Sequence, residues 1–483
     1  MYVPLTPLNP STPALPPEKR TIFGRPTFEI TPERHADLVL GSGGSGFTLP
    51  GRYARAWLQL TVGFDIRETY TIEAGTIPES GPGERIGELD VRYGYTLQPF
   101  RMEIPSDFVT EVLSRGLRLG LVTEAGGLQF LKESNPADMP WQSSKPQPVW
   151  GPVVYFEGTH QPAADPGARL EKLLSSPFAL QPFGWMEGCV LDGIWNLYSA
   201  TESEATIRKH LSMFTDDSGQ LSYEDARSRA KQGVYPGIEY TLPAAAFARV
   251  DPAAPAVEAA HAFWKQEPDN DGLVTDEEFV SAEGCYTLSY PMALVGTLRK
   301  DAALVRLAKR QLEIRWRLLH SSEALQLRFG EKSIETYRGW ARAYAWFLLG
   351  LAYAVPLIEE LESATELRSM ARRLTEEAAR AQIRETGLFA CFLKEELPPD
   401  TSGSAGIGAA VAMAVQAGIV ESDYRSLAEG VARGLDPHIS EDGLLGGVAQ
   451  SNRGGEALQR SRYRVFSQMG SGLAAQLYGV LER

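Results

Sequence analysis

The stretch ELRSMARRLTEEAARAQI, residues 366–383, decides the fold. Leu367, Met370, Ala371, Leu374, Ala378 and Ala381 recur in it at spacings of three and four, with Arg and Glu filling the other face. That is the stripe of an amphipathic α-helix laid against a core. Working outward, similar patterns fall at residues 168–174, 187–198, 206–213, 257–266, 286–298, 302–319, 340–361, 404–417, 426–434 and about 471–481. Gly-rich loops join them and scarcely a strand intervenes. Such a run of helices predicts a ring of helical hairpins, in which loops at one end build a site.

Upstream the period changes. ARAWLQLTVGFDI (54–66), ETYTIEAGTI (68–77) and IGELDVRYGYTLQPFRMEI (86–104) are rich in Val, Ile, Thr and Tyr and are punctuated by Gly and Pro. Short strands at that spacing predict an antiparallel β-sandwich, with a helix at 106–115. The expected organisation is therefore a Pro-rich tail over 1–20, a β-sandwich domain and linker over 21–150, and a helical domain over 165–483. A chain of 483 residues is long enough for two cores.

The composition is that of an ordinary globular protein, 43% hydrophobic and 22% charged. A formal net charge of -14 excludes a nucleic-acid partner as the expectation, because phosphate binding needs clustered Lys and Arg. A few Arg in one pocket would still serve an anionic small ligand. The three cysteines, Cys189, Cys285 and Cys391, lie far apart without a CxxC pair, which suits a reducing compartment. The first residues are Pro-rich and lack the apolar run of a secretory signal. The longest apolar stretch, 345–358, has the length of a buried helix rather than a membrane span. A cytoplasmic protein with no membrane partner is the expectation, with homo-oligomerisation left open.

Four segments carry more than periodicity. They are PFGWMEGCVLDGIWNLY (182–198), SAEGCYTLSYPMALVGTLRKDAAL (281–304), YRGWARAYAWFLLGL (337–351) and DTSGSAGIGAAVAMAVQAGI (400–419), the last followed by DGLLGGV and QMGSGLAAQL. In this order they resemble the unsaturated uronyl hydrolases of glycoside hydrolase families 88 and 105. There a D-G-L-Y-M-x-x-P-type segment, a W-x-R-G-x-x-W segment and a T-S-G-S-A segment recur along an (α/α)6 barrel. The matching residues here are Glu283 to Tyr286, Trp340 to Trp346, and Thr401 to Ala405. The resemblance spans about residues 168–483 and implies an all-α (α/α)6 barrel, a six-hairpin toroid, behind the N-terminal β-sandwich. The chain departs from the pattern in having Glu283 at the family's catalytic Asp, Ala343 at its Gly, and Glu239, in GVYPGIEYTLPAAA, as the best match to its second acid.

The resemblance implies hydrolysis of an acidic mono- or oligosaccharide without a cofactor or metal. For a 4,5-unsaturated uronide, an acid protonates C4, water adds at C5, and the hemiketal collapses to free the aglycone. A donor active near neutral pH needs its pKa raised by burial. Glu283 is the expected donor, Glu239 assists the water, and Arg342 grips the carboxylate in the bidentate manner that suits Arg. Trp185, Trp340, Trp346, Tyr286, Tyr344, Thr401 and Ser402 are the expected substrate contacts. Two alternatives stay open. A β-glucuronidase would use Glu239 and Glu283 about 5–5.5 Å apart for retention or about 6.5–9.5 Å apart for inversion. A non-hydrolytic isomerase or cyclase, or a sugar-binding protein, could occupy an altered barrel.

Plainer readings stand beside these. Glu283 can simply complement a helix N-terminus, Arg342 can be a structural ion pair, and tryptophans are more often core than platforms. Asp192 reads as a structural partner. His210 and His438 are ordinary histidines until a partner shows otherwise. EPDNDGLVTDEEF imitates a calcium loop through Asp269, Asp271 and Glu278, but acidic Gly turns arise without calcium, and the plain turn is preferred. GSGGSG at 41–46 lacks the Lys-Ser/Thr of a phosphate loop and reads as a turn.

Overall fold

The computed structural model describes residues 1–8, 10, 19–41, 53–78, 83–124, 126–133, 139–141, 148–158, 165–266, 272–275, 279–330 and 336–482. Asp269, Asp271, Glu278 and most of GSGGSG lie outside the described residues. The chain divides into two compact units, Met1–Pro182 with Glu224–Ala230, and Phe183–Tyr223 with Lys231–Arg483.

The first unit carries β1 (Tyr2–Leu8), β2 (Thr27–Ile30), β3 (Ala36–Leu40), β4 (Arg55–Thr61), β5 (Thr69–Thr76), β6 (Arg85–Arg92), β7 (Pro99–Ile104), α1 (Ser106–Arg115), β8 (Leu117–Leu121), β9 (Leu128–Leu131), β10 (Val153–Glu157) and α2 (Pro166–Leu174). Eight strands form one sheet in the order β6-β5-β8-β3-β1-β10-β4-β7. Its described pairings are antiparallel, and β2 pairs with β9 apart from it. The sandwich expected from the sequence is corrected by this single sheet, which curls almost into a barrel. Its two edge strands approach closely enough that a Cβ on Gly87 of β6 would lie 3.0 Å from the Met102 sulfur of β7. Alternation tells which side chains face inward, as Tyr70, Ile72 and Ala74 do on β5, but a curled sheet and a pair of facing sheets share that alternation. The helix expected at 106–115 is α1. It buries Val109, Val112 and Leu113 and packs on β3, β4 and β5.

The Pro-rich beginning is also corrected, since residues 2–8 are a strand inside the sheet rather than a tail. Tyr2, Val3 and Pro4 pair with β10, and Leu5 through Leu8 pair with β3. Each half of the strand is thus laddered on one side, the arrangement that tolerates a proline with no N–H to give.

The second unit is helical: α3 (Trp185–Leu197), α4 (Ala200–Ser212), α5 (Pro243–Val250), α6 (Pro255–Gln266), α7 (Tyr290–Leu298), α8 (Ala302–Leu319), α9 (Ala341–Glu359), α10 (Thr365–Ala381), α11 (Thr401–Gln416), α12 (Arg425–Leu435), α13 (Gly455–Arg460) and α14 (Gln468–Leu481). It begins at Phe183, and α2, expected with it, falls in the first unit. Residues 366–383 form α10, which buries Leu367, Met370, Ala371, Leu374 and Ala378 and turns its charges outward. α9 is instead apolar all round. It is long and apolar enough to cross a membrane by length and composition, yet 83% of its most apolar window is buried inside the protein. Helices of this kind belong at the centre. α3, α5, α7, α9, α11 and α14 pack successively, and α14 packs back on α3.

These central helices run parallel. A Cβ on Gly403 or Gly406 of α11 would meet Ala341 or Ala345 of α9 at 2.8 and 2.6 Å. Likewise Gly472 of α14 lies against Cys189 of α3, and Gly479 against Asn196. Partners that advance together along both chains define parallel helices, and the small side chains let the backbones close up. Asn196, Arg249, Leu298, Leu357, Gln416 and Val480, near the ends of the six helices, gather round one cavity, so the six N-termini lie at the other end. Cys189, Cys285 and Cys391 are free and buried.

Candidate active site

Glu283 sits where a short strand pairing meets a helix start. Val280 and Ser281 pair with Phe329 and Arg328, so the pairing sets Arg328 beside the turn that carries Glu283. From there a π-helical turn, Cys285–Ser289, leads into α7. Such turns are frequent at functional sites because they re-aim side chains. Below the turn the buried Arg315 of α8 donates to the carbonyls of Ser281 (3.1 Å) and Val274 (2.7 Å) and to Gln311 Oε1 (2.8 Å). A Cβ at position 284 would lie 2.4 Å from Arg315 Nε, so any side chain there would have to displace the guanidinium.

The Glu283 side chain is half-buried and under-bonded. Its Oε2 is buried without a hydrogen-bond partner. Burial pushes its pKa above the ordinary carboxylate value, and the guanidinium groups of Arg328, Arg342 and Arg453 pull against that without overcoming it. A carboxyl whose pKa is raised by burial, near three cations, suits a proton donor whose substrate is an anion.

The three arginines differ in availability. Arg342 is 2% exposed. Its Nη2 donates to Ala449 O (3.1 Å), Gln450 O (2.6 Å) and Gln459 Oε1 (3.1 Å), its Nε lies 3.3 Å from Asp400 Oδ2, and its guanidinium rests 4.4 Å over the Trp340 ring. Arg342 is thus held in a fixed structural position, near enough to Glu283 to act on its charge. Arg328 lies over Phe279 and Tyr337, and its buried Nε has no hydrogen-bond partner. Arg453 is exposed, on the turn Asn452–Gly454. The sequence reading missed both. Arg328 reaches the site only through a strand pairing, and that pairing has no local signature.

The remaining expected contacts sort into lining and frame. Trp185 opens α3 and meets Trp346 edge-on at 5.7 Å, and Trp346 stacks on Tyr286 at 6.1 Å. Glu239 stands half-buried on the turn Ile238–Tyr240, its carbonyl 3.1 Å from where a Cβ on Gly184, the residue before Trp185, would lie. These residues share the N-terminal end of the central helices. Of these remaining contacts only Trp185 and Glu239 are partly open to solvent; Tyr286, Trp340, Tyr344, Trp346, Thr401 and Ser402 are all buried. The Trp340 indole donates to Gln459 (3.2 Å), and the Tyr344 hydroxyl donates to Glu377 (3.1 Å). Thr401 donates to Gly446 O (2.7 Å), and the Ser402 hydroxyl donates to Asp400 (2.7 Å). Asp400, which caps α11, also accepts from the Ala449 N–H (3.0 Å). The T-S-G-S-A segment is a lock that holds the α11 start to the strand at Leu445–Ala449 and to Arg342.

Deeper along the axis is a buried polar network. Asp192 accepts from Tyr286 (2.6 Å), Tyr290 (3.0 Å) and Arg249 (2.7 Å). Tyr353 donates to Gln476 (3.1 Å) and accepts from Asn196 (2.7 Å), while Gln476 donates to Tyr286 (3.2 Å). Asp192 is the structural partner that its helix position suggested. Burial and the Asp192 charge push the pKa of Tyr286 far up, so the ring facing Trp346 stays a neutral phenol. His210 is fully buried beside Glu187, 2.6 Å from its carboxylate, within the core. Among the described residues no cluster of three His, Cys, Asp or Glu side chains has the arrangement of a metal site.

Comparisons with known proteins bear on the helical unit and its fold. The sequence model of Glycosyl Hydrolase Family 88 matches residues 328–477. A protein of Salmonella enterica serovar Paratyphi A, described as a possible member of the GH105 family, superposes with a TM-score of 0.53 at 18% identity, covering 62% of this chain and 82% of that one. A family 105 glycoside hydrolase of C. acetobutylicum does so with a TM-score of 0.54 at 16% identity, covering 63% and 95%. An unsaturated glucuronyl hydrolase specific for heparin gives 0.50 at 11% identity, covering 66% and 95%. No curated protein matches by sequence. The helical unit thus shares the six-hairpin glycosidase-like fold, and the likeness to families 88 and 105 drawn from the sequence is borne out.

Proposed function

We propose that this protein hydrolyses unsaturated uronyl glycosides at the N-terminal mouth of an (α/α)6 barrel. The observation that carries the reading is Glu283, a protonatable carboxyl with a buried unpartnered oxygen, faced by Arg328, Arg342 and Arg453. In the proposed reaction the Glu283 proton goes to C4 of the ring and water adds at C5. The resulting hemiketal then opens to release the aglycone alcohol. Glu239, on the neighbouring helix start, is the second carboxylate for orienting the water. Arg328 and Arg453 are the cations for the substrate carboxylate, Arg342 being engaged elsewhere. Trp185 offers an aromatic face to the sugar. The six helix N-termini add positive potential at the same end.

The test is a substrate panel at pH 5–8. Loss of the conjugated absorbance of unsaturated uronyl disaccharides is the expected result. Turnover of saturated glucuronides alone would shift the assignment to a β-glucuronidase using Glu239 and Glu283, and silence on both would remove the hydrolytic reading.

Arg328→Gln separates binding from field. Losing one charge-assisted contact to a carboxylate raises KM by roughly 10- to 150-fold. Because Arg328 also lowers the Glu283 pKa, its removal raises that pKa, and the high-pH limb of kcat moves to higher pH. A merely structural Arg328 would move neither KM nor the limb in this way.

A further inference from the structure

We propose a second binding site, for an uncharged ring compound bearing a hydroxyl, in the cavity at the opposite, C-terminal end of the central helices. The cavity measures about 560 Å³, within the range of small-molecule sites. Its lining comes from the C-terminal halves of α3, α5, α9, α11 and α14 and from α7 along its whole length. The catalytic residues all lie at the other ends of these helices.

The walls specify the class of occupant. Trp195 and Tyr353 present aromatic rings, Tyr290 is fully buried, and Leu298 at the rim is 47% exposed, a large apolar side chain left open to water. The cation in the wall, Arg249, is already matched. It lies 2.7 Å from Asp192 and rests 4.5 Å over the Trp195 ring. Helix C-termini carry partial negative charge. An anion is therefore disfavoured here, unlike at the catalytic mouth. The polar anchor is a carbonyl. Pro356 sits inside α9 and has no N–H, so the helix gives no donor to the carbonyl of Ala352, four residues earlier. Ala352 and Pro356 both line the cavity. A hydroxyl on the occupant supplies the missing donor while its ring lies among the aromatic walls.

The probe is 2-naphthol, with 2-naphthoate as its charged counterpart, titrated calorimetrically and by tryptophan fluorescence into the full chain. Saturable binding of one 2-naphthol is expected, with 2-naphthoate at least about tenfold weaker. Ala417→Trp places a large ring at the exposed rim and should weaken 2-naphthol by about tenfold or more. Pro356→Ala restores the helix donor without filling the space and should weaken it as well. Both positions are exposed, so folding is checked by unchanged circular dichroism. Glu283→Gln should bind the probe as wild type does. The proposal is overturned by absent saturation, by equal binding of naphthoate, by indifference to both cavity variants, or by loss of binding in Glu283→Gln. None of these results depends on the catalytic assignment.

Discussion

Glu283→Gln should lower kcat on an unsaturated uronyl disaccharide by about 10²–10⁴-fold, the range contributed by a positioned proton donor, with a much smaller change in KM. Glutamine keeps the length and shape of the side chain but has no proton to give. The same variant should be more stable than wild type at pH 8. Burial raises the folded-state pKa of Glu283 above its unfolded value, so ionisation is penalised in the folded protein. Below the unfolded value the acid is neutral in both states and no penalty applies. The penalty grows as pH rises past that value and is complete above the folded one. Melting temperatures of the two proteins should therefore converge near pH 4 and separate by pH 8. A fall in activity with a gain in stability marks a group kept for chemistry. Activity within roughly threefold of wild type, against the expected range, would remove Glu283 from the donor role.

Asp192→Ala should destabilise the protein by about 3–5 kcal/mol, the cost of leaving a buried charge without its partner. Arg249 and Asp192 are 9% and 3% exposed, and Asp192 also accepts from two tyrosine hydroxyls. By contrast, the exposed pair Arg208 and Glu204 on α4 contributes roughly 0–1 kcal/mol. Urea unfolding measures both. Combining Asp192→Leu with Arg249→Met should recover much of the loss, because the stranded charge goes with its partner. A loss below about 1 kcal/mol in Asp192→Ala would mean that Arg249 finds another acceptor and that the network does not centre the helices.

What the sequence disclosed was the part set by local pattern. The stripe of 366–383 became α10, the helix at 106–115 became α1, and Glu283 fell at a helix start as its motif implied. What it concealed was set by distant partners. A motif gives the position of Arg342, but only the fold shows its guanidinium held by Ala449, Gln450 and Gln459. Thr401 and Ser402, expected from their motif as substrate contacts, are sealed into a helix cap. Arg328 looks like any loop arginine until Ser281 pairs with it. Arg315 did leave a trace, as a cation on the buried stripe of α8 among Leu304, Ala308 and Leu312. A charge in such a row marks a buried partner waiting elsewhere.

Gly284 and Arg315 have a further consequence, for how the protein can change over generations. Any side chain at 284 would displace the guanidinium that ties Ser281 and Val274 together, and with them the acid one residue away. Shortening Arg315 would make room at 284 but would release those carbonyls. Neither position can drift alone without loosening the turn. A change at either position therefore calls for a compensating change at the other, whereas Arg328 and Arg453 lie outside that pair of constraints.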